Sequence, residues 1–209
     1  MNYNYAVGIP TINQWPSLKS KLELYAADMP DIPFVIIDNG NQGITPDQLP
    51  NQYQFNILTM PVNLGVAASW NTMIWAIMID FMNALILNDD VYLGLNQDQV
   101  QNIINEHEGQ NDIKPLLIHG SKGMSSFIIN TIMFEIVGHF DIGYYPAYFE
   151  DNDYMERLKQ KDFTPIEDHR LTPALFNGSQ SIHRDPSLNV NFEKNKERFR
   201  SKWGYVPGE

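Results

Sequence analysis

Nine residues in the middle of the chain, LILNDDVYL at 85–93, constrain the fold most strongly. They begin with an apolar run, 85–87, which is typical of a strand buried on both faces of a sheet. Asn88, Asp89 and Asp90 follow at once, and adjacent carboxylates repel one another unless a cation or a donor lies opposite. Ligands of open α/β sheets bind beyond the carboxyl ends of the strands. The stretch therefore predicts either a divalent-metal site that meets phosphate oxygens or a solvated Asn-Asp turn.

The chain before this stretch alternates strands and helices. A first strand ends at Pro10 and Thr11, a helix follows, and a second, fully apolar strand ends at Asp38 and Asn39. Strand, helix and strand joined by short connections imply a parallel pair with a right-handed crossover. We therefore expect an α/β fold with a mainly parallel central sheet flanked by helices, and Asp38 at its ligand-binding edge.

The string NLGVAASWN, from Asn63 to Asn71, follows a third short strand. Gly65 opens a helix that is apolar nearly all round, so we expect it to be buried on both sides. Its small residues allow the backbone to approach a sheet or a ligand closely.

A second acidic region follows the string YYPAYF at 144–149, which the sequence predicts to be an aromatic strand. It contains Glu150, Asp151 and Asp153. Acidic residues suit the first turn of a helix, so capping alone explains one or two of them. Three carboxylates directly after an aromatic stretch indicate more than a capped helix.

The net charge of the chain restricts the kinds of molecule that it can bind. The chain of 209 residues has 25 acidic and 14 basic residues, a formal net charge of -11. Such a body repels polyanions, which disfavours a nucleic-acid acceptor. Several of the basic residues lie near the C-terminus, where they could meet a phosphate at short range. They are Arg184, Lys194, Lys196, Arg198, Arg200 and Lys202.

The chain has no cysteine, which excludes disulfides, thiolate metal sites and cysteine nucleophiles and fits a reducing compartment. Its first residues do not have the pattern of a signal peptide, and its most apolar segment, 72–87, is too short to span a bilayer. We therefore expect a cytoplasmic protein without an integral membrane segment. The oligomeric state, a homo-oligomer included, stays open.

Several strings in this order resemble the large family of inverting, metal-dependent glycosyltransferases with the GT-A fold, of the family-2 type that includes rhamnosyltransferase-like members. They are VGIPTIN, FVIIDNG, NLGVAASWN, LILNDDV, MFEIVGHFDIGYYPAYFEDNDYMERL and a terminal KWG. Together they cover nearly the whole chain. The resemblance implies one GT-A domain over 1–209, with a nucleotide-sugar-binding half at 1–95 and an acceptor-side half with a C-terminal helix at 96–209.

The resemblance also implies roles for single residues. Asp38 would hydrogen-bond the nucleotide base, Asp90 would bind Mn²⁺ or Mg²⁺, and Asp151, beside Glu150, would be the catalytic base. His183 would be an additional metal ligand, although a lone histidine is more often a structural residue. Asn88 stands where many members have Asp, so this site carries one less negative charge. The implied donor-binding residues are Pro10, Thr11, Asp38, Asn39, Asn63, Gly65, Asn71, Asn88 and Asp89.

The implied reaction moves a sugar from a UDP-, dTDP- or GDP-linked donor to an acceptor hydroxyl, expected on a saccharide. Two alternatives remain open. A nucleotidyltransferase would be expected to have a glycine-rich, basic loop after the first strand, and residues 8–11 contain no basic residue. A non-catalytic module that binds nucleotides or glycans would have kept the fold without the chemistry.

Overall fold

The computed structural model describes residues 3–51, 54–109, 114–176, 186 and 191–209. Its strands and helices alternate through most of the chain. In chain order they are β1 (Tyr5–Thr11), α1 (Trp15–Asp28), β2 (Phe34–Asn39), β3 (Phe55–Met60), α2 (Gly65–Ile77), β4 (Asn83–Leu87), β5 (Val91–Tyr92), α3 (Gln97–Glu108), β6 (Leu117–Gly120), β7 (Gly123–Asn130), α4 (Thr131–Val137), α5 (Glu150–Gln160), β8 (Ile166–Glu167), β9 (Leu175–Phe176) and α6 (Phe192–Trp203).

Seven strands form one sheet in the order β3-β2-β1-β4-β7-β6-β8. The four strands from β1 to β4 are parallel to one another, whereas β7 is antiparallel to both β4 and β6. This confirms the expected α/β class with a mainly parallel central sheet. Only two residues, 121–122, connect β6 to β7, so these two antiparallel strands form a tight hairpin.

The parallel strands end at the same side of the sheet, which we call the carboxyl edge. Thr11 on β1 lies opposite Asp38 on β2, and Gly8 on β1 lies opposite Ile86 on β4. Asn88, Asp89 and Asp90, which follow β4, therefore lie at the same edge as Thr11 and Asp38. β5 comes next and pairs with β9 in a separate two-stranded sheet.

Helices cover both faces of the sheet. The cluster on one face includes buried apolar side chains of α1 and α3, and the cluster on the other includes those of α2, α4 and α5. The expectation that α2 is buried all round is wrong in part, because Trp75 is 56% exposed. Its ring is nearly perpendicular to those of Phe134 and His139, with ring centroids 6.1 Å and 5.5 Å away. None of the helices in the described part of the chain has the length and apolar character needed to cross a membrane.

A third apolar cluster joins α6 to residues 144–149 and includes Tyr144, Phe149 and Phe199. The prediction of a strand at 144–149 is wrong. Pro146 has no N–H to donate, and Tyr148 and Phe149 adopt left-handed φ values of +77° and +72°, which no regular strand accommodates. The segment is irregular and leads directly into α5.

Candidate functional site

The acidic residues after β4 form a turn at the carboxyl edge. The Val91 amide donates to the Asn88 carbonyl at 3.1 Å, and the Asn88 amide donates to the Ser125 carbonyl of β7 at 3.0 Å. Asp89 and Asp90 are each only 8% exposed. A turn is therefore present, but its two carboxyl groups are buried, unlike those of the solvated turn that the sequence left open.

Asp89 is held between the loop after β1 and a buried lysine. Its Oδ2 accepts from the Ile12 amide at 3.3 Å, and its carbonyl oxygen accepts from Lys21 Nζ at 3.0 Å. Burial raises the pKa of Asp89 to about 7; the Thr11 hydroxyl lowers it, while the charge of Asp90 adds to the rise. Two carboxylates that disfavour each other's ionisation in a buried turn are chemically suited to a divalent cation.

The described residues do not add a third histidine or carboxylate to this pair. Among the described residues, no group of three or more His, Cys, Asp or Glu side chains is placed to hold a metal. The predicted ligand His183 lies outside the described residues. Mg²⁺ in nucleotide-dependent enzymes is often held by one or two carboxylates together with substrate phosphates, and Asp89 and Asp90 offer that donor set.

Asp38 is fully buried and holds the loop that follows β2. Its Oδ1 accepts from the Gln42 backbone amide at 2.7 Å and from Gln42 Nε2 at 3.1 Å, and its Oδ2 accepts from the Ile44 amide at 3.3 Å. Gln42 Nε2 also donates to the Thr11 carbonyl at 2.8 Å. Since a carboxylate has about four acceptor positions, the three hydrogen bonds that it accepts engage most of the acceptor capacity of Asp38.

Asn39, Asn63 and Gly65, which the family resemblance assigns to donor binding, are joined by hydrogen bonds. Asn39 Nδ2 donates to Asn63 Oδ1 at 3.0 Å, and the Gly65 amide donates to the same oxygen at 2.8 Å. The Leu64 amide donates to Asn39 Oδ1 at 2.7 Å. These bonds tie the end of β2 to the start of α2.

Asn71 has a different environment. Its Nδ2 donates to the Phe140 carbonyl and its Oδ1 accepts from the Phe140 amide, both at 2.9 Å. The buried side chain thus uses both polar groups to brace the segment between α4 and α5. This position ties α2 to a loop, and the bonds do not connect it to Asn39 or Asn63.

The segment before α5 packs on the start of α2. The Val66 amide donates to the Pro146 carbonyl at 2.7 Å. Gly65 has a φ of +77°, and a Cβ atom there would lie 2.7 Å from that same carbonyl oxygen. Because α2 begins beyond the carboxyl end of β3, this contact brings the residues that precede Glu150 to the carboxyl edge.

Glu150 and Asp151 form a second acidic pair, in the first turn of α5. Glu150 is 6% exposed, and its Oε2 has no hydrogen-bond partner among the residues described. Burial raises the pKa of Glu150 to about 8, with the charge of Asp151 adding to the rise. Burial also raises the pKa of the half-buried Asp151, while the Asn152 amide, 2.7 Å from Asp151 Oδ1, lowers it.

Asp153, two residues after Asp151, differs from this pair because its carboxylate is bonded within the protein. It is completely buried and accepts from Trp203 Nε1 at 2.9 Å, Arg157 Nε at 3.0 Å and the Tyr144 hydroxyl at 3.2 Å. Lys202 Nζ lies 2.6 Å from it. Of these partners only Arg157, four residues along the same helix, was recognisable from sequence spacing.

Four of the six C-terminal basic residues have partners within the protein, and Arg184 lies outside the described residues. Arg198 and Lys202 both pair with Asp141, and Lys196 and Arg200 both pair with Glu209. These ion pairs weaken the expectation that the basic cluster is available to a phosphate. Sequence reasoning also missed Lys21, Gln42 and Asn195, whose hydrogen bonds reach across the fold and leave no pattern along the chain.

Comparison of the sequence with known protein families found no matching family model. Comparison with curated proteins found no match either.

The fold does match solved structures. A variant of Drosophila β-1,4-galactosyltransferase 7, in complex with manganese, UDP-Gal and xylobiose, is similar over 88% of this chain and 74% of its own, with a TM-score of 0.54 at 11% identity. A cytidylyltransferase from Leptospira borgpetersenii is similar over 100% of this chain and 98% of its own, with a TM-score of 0.54 at 8% identity. A 4-diphosphocytidyl-2C-methyl-D-erythritol synthase from Anaerococcus prevotii covers 90% and 96%, with a TM-score of 0.50 at 8% identity. At such low identity the likeness establishes the fold, that of nucleotide-diphospho-sugar transferases.

Proposed function

We propose that this protein is a metal-dependent inverting glycosyltransferase that moves a sugar from a nucleotide-sugar donor to an acceptor hydroxyl. The observation that carries the proposal is the presence of two acidic pairs at the carboxyl edge of this fold, the buried Asp89–Asp90 and the pair of buried Glu150 and half-buried Asp151. Perturbed carboxyl groups at the ligand-binding edge of a sheet are candidates for chemistry. Residues 1–95 would then bind the donor, and residues 96–209 would form the acceptor side.

Asp151 is the proposed base. As the acceptor oxygen attacks the anomeric carbon, its proton passes to the Asp151 carboxylate, and the electron pair of the sugar–phosphate bond leaves with the nucleoside diphosphate. Burial raises the pKa of Asp151, which makes it a stronger base than an exposed aspartate. A single displacement from the opposite face inverts the anomeric carbon.

Asp90, with Asp89 beside it, would hold the cation. A bound Mn²⁺ or Mg²⁺ would supply neutralisation of the charge that grows on the departing diphosphate. The N-terminus of α2 is not free to bind the diphosphate in place of a cation, because the amides of Leu64, Gly65 and Val66 already donate hydrogen bonds within the protein. This supports assigning the diphosphate to the acidic turn after β4.

A saccharide acceptor is supported by exposed rings at the same edge. Tyr145, which lies against Gly65, and Phe176, which pairs with Val91 one residue after Asp90, are both exposed. Ligand pockets are commonly lined by aromatic side chains with a few polar groups. The galactosyltransferase of similar fold was crystallised with xylobiose, a saccharide.

A nucleotidyltransferase is the second candidate, favoured by the cytidylyltransferase that matches the chain end to end. Such an enzyme would join a sugar phosphate to the α-phosphorus of a nucleoside triphosphate and release pyrophosphate. The stretch 8–14, which contains the end of β1 and the loop after it, has no lysine or arginine to bind a triphosphate, and this weighs against the reaction.

Product analysis separates the candidates. We expect UDP-, dTDP- or GDP-linked sugars to raise the melting temperature only in the presence of Mn²⁺ or Mg²⁺. Incubation with the stabilising donor and a panel of saccharides should then yield a nucleoside diphosphate and an inverted glycoside, detected by mass spectrometry and NMR. Pyrophosphate release from a nucleoside triphosphate would favour the second candidate. Metal-independent binding of a free glycan without any turnover would indicate a binding module.

A further inference from the structure

The turn that presents the acidic pair has an unfavourable backbone conformation. Tyr148 and Phe149, the two residues before Glu150, adopt left-handed φ values of +77° and +72° although neither is glycine. The left-handed region costs free energy for residues with a Cβ atom. Two such residues in succession persist only where surrounding contacts hold them.

α6 provides those contacts, first through hydrogen bonds. Asn195 is 1% exposed, and its Nδ2 donates to the Ala147 carbonyl at 2.8 Å and to the Tyr145 carbonyl at 3.3 Å. One side-chain amide thereby holds the backbone on the N-terminal side of the turn. Both carbonyls belong to irregular segments that have no strand partner.

α6 also packs against the two strained residues themselves. The ring of Phe149 lies 5.6 Å from that of Phe199 and 5.5 Å from that of Phe192, and the ring of Tyr148 lies 5.0 Å from that of Phe192. Aromatic pairs at these separations are favourable beyond the area they bury.

The far side of the acidic pair is held by the same helix. Trp203 Nε1 and Lys202 Nζ lie 2.9 Å and 2.6 Å from the buried carboxylate of Asp153. The helix therefore contacts the chain before and after the pair, and among the described residues it makes no hydrogen bond or ion pair with Glu150 or Asp151.

We propose that α6 is a positioning element for the Glu150–Asp151 pair, and that Asn195 is the positioning residue that keeps the strained turn in place. The catalytic consequence rests on the proposed function, because only there does Asp151 act as the base. The structural consequence, a turn held by Asn195, does not depend on it.

The test replaces Asn195 by aspartate, N195D. The change keeps the shape of the side chain, removes its N–H groups and places a negative charge against two carbonyl oxygens. Asn195 lies in the first turns of α6, where an acidic residue suits the helix dipole, so the helix itself should tolerate the change. We expect hydrogen exchange at the amides of residues 147–151 to become at least about 10-fold faster, since the open state of the turn becomes more populated.

Kinetics provide the second readout. Displacement of the base by about 1 Å can cost on the order of 10²-fold in rate, so kcat should fall by about that factor while the KM for the donor stays nearly unchanged. The acid limb of the kcat–pH profile should move to lower pH, because a more exposed Asp151 loses the burial that raises its pKa. A role limited to stability would not move that limb.

R200A is the matched control, since Arg200 lies on the same helix and pairs with Glu197 and Glu209. It should leave exchange at 147–151, kcat and the pH profile unchanged. If N195D fails to fold, N195A, which removes the donor without adding charge, takes its place.

The outcomes separate the two proposals. Wild-type exchange rates at 147–151 in a folded N195D or N195A, or equal losses of kcat in N195D and R200A, would overturn the positioning role. Faster hydrogen exchange in the variant, together with no sugar transfer by any variant or by the wild type, would support the contacts by which α6 holds the turn. The same result would overturn the proposed function.

Discussion

The backbone amide of Val66 donates a 2.7 Å hydrogen bond to the carbonyl oxygen of Pro146, and this bond joins the two halves of the chain at the carboxyl edge. Val66 belongs to the first turn of α2, and Pro146 lies four residues before Glu150. The contact is close because Gly65 has no side chain, since a Cβ atom there would lie 2.7 Å from the same oxygen. The relative placement of the two acidic pairs therefore depends on a glycine at 65.

The variant Gly65→Ala tests this dependence against Gly43→Ala. Both glycines have nearly the same left-handed φ, +77° and +76°, but a Cβ atom on Gly43 would meet nothing within 4 Å. Gly43→Ala should lower the free energy of unfolding by about 1–2 kcal/mol, the cost of the conformation alone. Gly65→Ala should cost a further 1–3 kcal/mol, roughly, because the 145–146 segment must move. Urea unfolding measures both; equal losses would contradict the close approach.

Asp151→Asn should abolish transfer while the protein stays folded and binds nucleotide. Removal of the base is expected to lower kcat by about 10²–10⁴-fold. Asp153→Asn should show the opposite pattern, with a lower melting temperature, because Asp153 is the buried partner of Arg157 and Lys202. Steady-state kinetics and thermal unfolding on both variants distinguish a base from a structural carboxylate. Parallel losses of transfer and nucleotide affinity in Asp151→Asn would remove Asp151 from that role.

Asp90→Ala should weaken nucleotide binding only when a metal is present. We expect the Kd for the nucleoside diphosphate with Mn²⁺ to rise by at least about 10-fold, since one of the two carboxylates available to the cation is lost. Binding without metal should stay the same. Isothermal titration calorimetry with and without Mn²⁺ measures this, and Asp98→Asn, on the exposed first turn of α3, is the control. An unchanged Kd in Mn²⁺ would exclude Asp90 from the metal site.

Glu150→Gln should change how stability depends on pH. The pKa of Glu150 is raised by burial to about 8 in the folded protein, against about 4.3 for an unfolded glutamate. The folded state thus favours the protonated carboxyl, and the wild type loses stability as pH rises from about 4.3 to about 8, by at most roughly 1.4 kcal/mol per unit. The neutral glutamine removes this loss. Urea unfolding at pH 5 and pH 8 should therefore favour the variant more at pH 8; an equal difference at both values would contradict a buried, protonated Glu150.

Much of the sheet was predictable because local pattern and burial agree there. The strands β2 and β4 are buried along their whole length; β2 ends in Asp38 and Asn39, and Asn88, Asp89 and Asp90 directly follow β4. Where local pattern and tertiary contacts disagree, the prediction failed. The aromatic residues 144–149 favour a strand by composition, but Pro146 and the rings of α6 hold them in an irregular turn.

The same distinction applies to the site. Residue type and position along the chain identified both acidic pairs, because carboxylates after a strand or in a first helical turn are visible in sequence. The sequence did not show that Asp153 has a structural role that Glu150 and Asp151 lack, since its partners Tyr144 and Trp203 come from other segments of the chain. Nor did the sequence indicate that Asp38 is engaged by its own loop.

The order of residues by itself determined the α/β class, the positions of the carboxylates after the strands, and the helices that cover the sheet. These features follow from the short-range periodicity of apolar residues and from the burial of apolar side chains. Only the tertiary structure decided that Asp153 is bonded by Tyr144, Arg157 and Trp203 and is therefore a structural carboxylate. It also decided the partners of hydrogen-bond donors such as Lys21, Trp203 and Asn195, which reach those partners across the fold. The positions of these donors in the sequence do not indicate which residues they contact in the folded protein.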